Sequence, residues 1–104
     1  MLVFKRTNDD EYTLFDGEEK LAFVKVTDNL IKSVSYASEK VDATYGDFTL
    51  RSMVLLMRDK HREIKCNFYD ERLISLGFEK EGEGMKADSL KIRFDGCCRK
   101  GGNQ

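Results

Sequence analysis

The sequence predicts an α/β (α+β) domain, a mixed and mainly antiparallel sheet with two helices. Three observations predict it. Residues 12–36 alternate apolar and polar side chains around two turn signals, Asp16-Gly17 and Asp28-Asn29, as an antiparallel meander does. From Phe48 the apolar spacing lengthens to the period of a helix. After that helix comes a strand, a short helix and two more strands, an order that joins a crossover to the meander.

The elements follow in order. Leu2 to Phe4 is a candidate edge strand, and Tyr12 to Phe15 the first strand of the meander. Lys20 to Val26 carries Leu21 and Phe23 on one side and Ala22, Val24 and Val26 on the other, which predicts a central strand. Leu30 to Tyr36 places Leu30, Val34 and Tyr36 opposite Ser33 and Ser35. Residues 38–47 are polar and read as a loop. Leu50, Met53, Val54 and Met57 then mark one face of a helix over 48–60, with Asp47 or Thr49 as its cap. A strand is expected over 63–68, where Ile64, Cys66 and Phe68 alternate with Lys65 and Asn67. Asn67 or Asp70 can cap a short helix through Leu73, Ile74 and Leu76, with Gly77 in its left-handed C-terminal position. Phe78 starts a strand, Glu81-Gly82-Glu83-Gly84 turns the chain, and Leu90, Ile92 and Phe94 alternate in a last strand. The passage from 30–36 through the long helix to 63–68 is expected to be a right-handed parallel crossover.

Composition narrows the function. The chain has 104 residues, a net charge of −1 and 36% charged residues, which suits one domain, expected over 1–96 and followed by a flexible tail over 97–104. Near-zero charge argues against a nucleic-acid partner. The longest aliphatic run, Met53 to Met57, is too short for a membrane span. Met1 to Arg6 lacks the apolar region of a secretory signal, so a cytoplasmic location with reduced Cys66, Cys97 and Cys98 is expected. The cysteines and the single His61 show no metal-ligand spacing, and no metal is expected. His61, among Arg58, Asp59, Lys60 and Arg62, reads as a solvated helix-end residue.

The run Glu63-Ile64-Lys65-Cys66-Asn67-Phe68-Tyr69-Asp70-Glu71-Arg72-Leu73-Ile74-Ser75-Leu76-Gly77-Phe78 resembles the fifth strand, fourth helix and "LGF" entry to the sixth strand of the GNAT superfamily of N-acetyltransferases. By order of elements the resemblance covers residues 10–95; by motif it covers Leu76-Gly77-Phe78. Phe4 and Tyr12 stand a short loop apart, so the resemblance implies a GNAT-like fold lacking the N-terminal helices. It implies an acyl-CoA cofactor, acetyl-CoA, whose pantetheine arm lies between strands 30–36 and 63–68. The residues placed there are Val34, Ser35, Tyr36 and Asn67, with Gly46, Asp47, Phe48 and Thr49 at the pyrophosphate turn. Glu39 is a candidate general base toward an amine.

The chain departs from the family's pattern at four positions. With Gly46 as the first glycine, Ala43 stands at the basic position, Phe48 at the second glycine, and Asp47 sets a negative charge where a phosphate would lie. Leu73 stands where many members have a tyrosine acid. Two classes of function stay open. One is an N-acyltransferase acting on a small-molecule or protein amine. The other is a GNAT-like domain that binds a ligand or a protein without catalysis. A homodimer through the last strand is a further alternative, opposed by the edge charges Lys91 and Arg93.

Overall fold

The computed structural model describes residues 1–94; Cys97, Cys98 and the rest of the expected tail lie outside the described residues. The elements are β1 (Leu2–Asn8), β2 (Glu11–Asp16), β3 (Glu19–Thr27), β4 (Leu30–Tyr36), α1 (Glu39–Arg58), β5 (Glu63–Cys66), α2 (Glu71–Ile74), β6 (Glu79–Glu81) and β7 (Gly84–Asp88), with a single 3₁₀ turn at Ser89–Lys91. The strands form one seven-stranded sheet in the order β1-β2-β3-β4-β5-β7-β6. Every neighbouring pair is antiparallel except β4 and β5, which run parallel through Leu30↔Lys65 and Ile31↔Cys66. The mixed, mainly antiparallel architecture and the parallel crossover are therefore as the sequence predicts.

One face of the sheet is the core. Its rows run Phe4–Leu14–Ala22–Tyr36 and Tyr12–Val24–Val34 across the meander, continuing to Ile64–Ala87 and Cys66–Met85. Against them α1 buries Leu50, Met53, Val54 and Met57, and the α2 segment buries Leu73 and Leu76. Burying six such side chains from water contributes on the order of 2 kcal/mol each before chain entropy is counted. The opposite face carries Lys5, Phe15, Phe23, Ser35 and Lys65, and both helices lie on the core side.

Three boundaries differ from expectation. The long helix starts at Glu39, two turns before Phe48. Ser38 is its cap, its Oγ accepting from the Val41 N–H at 3.2 Å, and Glu39 and Asp42 set negative charge in the first turn. Val41 and Tyr45 extend the apolar stripe upstream, packing on the cluster of Leu14, Leu21 and Ala22. Asp47 and Thr49 thus cap nothing: Asp47 pairs with Arg51 at 2.7 Å, and the Thr49 hydroxyl donates to the Tyr45 carbonyl.

The second boundary is the expected strand over 63–68, which stops at Cys66. The third is the last strand, which is Gly84–Asp88 rather than Leu90 to Phe94. A two-residue turn at Gly82-Glu83 closes the hairpin at once, and Met85 and Ala87 take the inward positions. Asp88 then caps the 3₁₀ turn by accepting from the Leu90 N–H at 2.9 Å, leaving Leu90 76% exposed. The edge from Leu90 to Phe94 proposed for dimer pairing is therefore not a strand.

Candidate functional site

The candidate site is a fork in the sheet. β4 and β5 pair at Leu30 and Ile31, with flanking bonds from the Lys65 N–H to the Asn29 carbonyl and from the Asn67 N–H to the Ile31 carbonyl. Beyond Cys66 the chain leaves the sheet toward α2, and the strands part. Lys32 is the extra residue of a bulge, since Ser33 faces Lys25 while Ile31 faces Val26. The bulge resets which way the backbone points. The Ala37 N–H donates to the Leu21 carbonyl, so alternation turns the peptide groups of Ser35 and Ser33 toward β3. Those of Val34 and Tyr36 face the fork, where β5 pairs with neither.

The fork encloses about 400 Å³ lined by Lys32, Val34, Tyr36, Phe68, Asp70 and Arg72, among others. An ion network closes its inner end. Arg72 donates Nε and Nη2 to the two oxygens of Asp70 at 3.0 and 2.7 Å, a bidentate fork. Its Nη1 reaches across to α1, to Asp42 Oδ1 at 2.8 Å and the Asp42 carbonyl at 3.1 Å. Asp70 also caps α2, accepting from the Arg72 N–H at 2.9 Å. Gly46 makes room for this bridge: a Cβ there would overlap Arg72 Nη1 and crowd Asp42 Oδ1.

The electrostatics follow from these contacts. Burial pushes Asp70 up, but the Arg72 side chain and N–H outweigh it and hold the carboxyl below its usual value. The hydrogen bond to Asp70 raises Arg72 further still. The Arg72 guanidinium lies 5.8 Å from the centre of the Tyr36 ring. Burial pushes the Tyr36 phenol up to about 12, with Arg72 opposing and Asp42 and Asp70 assisting. Its hydroxyl is buried with no hydrogen-bond partner among the described residues. It stays a neutral donor through the physiological range.

The predicted site residues divide. Val34 and Tyr36 line the fork, and Asn67 stands at its apex through its own N–H. Ser35 is exposed, with its peptide turned to β3. Gly46, Asp47, Phe48 and Thr49 lie inside α1, where their N–H groups belong to the helix ladder and do not form a phosphate-binding turn. Glu39 is the exposed first residue of α1. Lys32, Asp42, Phe68, Asp70 and Arg72 have a place in the site that the sequence reading did not give them. Arg72 and Asp42 are 30 positions apart, and no local pattern signals such a pair.

Elsewhere, Cys66 is a buried core thiol that burial pushes up in pKa. His61 lines a smaller cleft of about 140 Å³ under the C-terminal end of α1, with Tyr12, Val26, Met53 and Met57. Among the described residues no three His, Cys, Asp or Glu side chains converge as metal ligands, and no helix is long and apolar enough to cross a membrane.

No family model, curated protein or solved structure matches the chain.

Proposed function

We propose that the chain is a GNAT-like domain that holds an extended, amide-bearing ligand in the fork between β4 and β5, without the phosphate cradle of acyl-CoA enzymes. The observation that carries this reading is the open inner edge of β4. The peptide groups of Val34 and Tyr36 face a gap that no strand of the described residues fills. An extended chain with amides, such as a pantetheine arm, satisfies them as an added strand would. The element order, the parallel neighbours and their parting support the GNAT-like part of the reading.

The residues present do not fit the phosphates of acetyl-CoA. α1 runs unbroken through Gly46 to Thr49, and the space beside Gly46 belongs to Arg72. At the true start of α1, Ser38 Oγ already takes the Val41 N–H, and Glu39 and Asp42 add negative charge. Acyl transfer is the second reading. It is favoured by the same inward N–H groups, which are suited to polarise a thioester carbonyl.

Calorimetric titration with S-acetylpantetheine and with acetyl-CoA separates the two. The expected result is that both bind with dissociation constants within about threefold, because the amide arm supplies the contacts. Acetyl-CoA binding more than about tenfold tighter would establish phosphate recognition and favour the transferase. Binding of neither would remove the fork as a pantetheine-type site and overturn the proposal.

A further inference from the structure

A second surface stands apart from the fork. The side of α1 turned away from the sheet carries Phe48 and Leu55, which are 42% and 45% exposed, while Leu56, 41% exposed, sits on its flank beside the cleft lined by Tyr12 and His61. Phe48 and Leu55 lie two turns apart on one line, with Ser52 between them. The sheet-facing side is already complete in Leu50, Met53, Val54 and Met57. A helix apolar on both sides has one face in excess of what its own domain buries.

We propose that this face is the contact between two copies of the chain, with the two α1 helices antiparallel and crossing beside Ser52. The face is self-complementary in that arrangement. Phe48 meets Leu55 of the partner subunit, with Leu56 at the margin of one flank. On the other flank Asp47 comes level with the partner's Arg58, and the two-fold axis repeats each contact. Both charged groups are held near that edge: Asp47 by Arg51 at 2.7 Å, and Arg58 by the Phe94 ring, 5.1 Å from its guanidinium carbon. A small residue at the crossing lets the backbones approach, and antiparallel helix dipoles attract. In a parallel two-fold pair each flank meets the partner's opposite flank, so Asp47 and Arg58, on one flank, would not meet, and the charge pair selects the antiparallel form. One helix pair buries less than a standard interface, so the dimer exchanges with monomer as concentration changes.

Sedimentation equilibrium of the full chain under reducing conditions tests this. The expected result is a reversible equilibrium between the 12.0 kDa monomer and its dimer. Leu55→Lys, an exposed position that leaves the fold's circular dichroism unchanged, is expected to weaken it about 30-fold. Asp47→Arg and Arg58→Asp are each expected to weaken it about tenfold, and the two together to restore it to within about threefold. A monomer at all concentrations up to about 1 mM overturns the proposal. So does a dimer indifferent to Leu55→Lys, or a double variant no tighter than either single one.

Discussion

Asp70 serves two groups of one residue, Arg72, with a single carboxylate. It caps α2 through the Arg72 N–H and clamps the Arg72 guanidinium bidentately, so its ionised form is tied to the fork's shape. Because the folded-state pKa lies below the ordinary 3.8, this contribution is complete above that value and is lost as pH falls through the folded pKa. The side chains are 31% and 19% exposed, so solvent moderates the pair. Asp70→Asn keeps the cap but removes the charge. In urea titrations the variant is expected to be about 1 kcal/mol less stable than the parent at pH 7. The gap should close as pH falls below the ordinary 3.8 and through the lower folded-state pKa. A gap that stayed constant over that window would show that the charge of Asp70 is not what matters.

At the scale of elements, α1 decides what the fork can accept. Its core half was readable, because Leu50, Met53, Val54 and Met57 repeat at helical spacing. Its first two turns were not. Residues 38–47 are mostly polar, with only Val41 and Tyr45 to carry the stripe, and Gly46 looks like loop punctuation. What favours glycine at 46 is a residue far away: its bare Cα accommodates Arg72, which links α1 to α2. The same limit applied to β5 and β7, where the strand ends depend on where partners stop rather than on alternation. By contrast Asp16-Gly17, Asp28-Asn29, Asp70 and Gly77 announced themselves locally, because turn and cap chemistry sits in neighbouring residues. Hydrogen exchange reads the helix boundary directly. The amides of Gly46, Asp47, Phe48 and Thr49 are expected to be protected alongside those of Leu50 and Met53. Ser38→Ala, losing the cap, is expected to cost about 1 kcal/mol and to speed exchange in the first turns. Unprotected amides at 46–49 would restore the phosphate-turn reading and with it the case for CoA.

The whole molecule is an arrangement in which the sheet closes tightly on one side of β5 and opens on the other. The parallel pairing of β4 with β5 was legible from the order of elements, while Val34 and Tyr36 were placed beside it by the family resemblance. The tight side was not, because it depends on Gly84. β7 begins there opposite Glu81, and a Cβ on Gly84 would overlap the carbonyl oxygen of Cys66, a backbone atom with no freedom to swing aside. The same Cys66 is the last paired residue before the chain turns out of the sheet to make the fork. Gly84→Ala must therefore push β7 off the end of β5 or shift the apex of the fork. Overpacking of this kind costs about 1–3 kcal/mol, and here no side chain can yield to lower it. In a domain of this size that corresponds to a melting midpoint lower by roughly 4–20 °C. The outcome also reaches the ligand. If the apex is one rigid unit, Gly84→Ala weakens S-acetylpantetheine binding although Gly84 lies on the far side of β5 from Val34 and Tyr36. A variant with the expected loss of stability and unchanged binding would show that the two sides of β5 are mechanically separate.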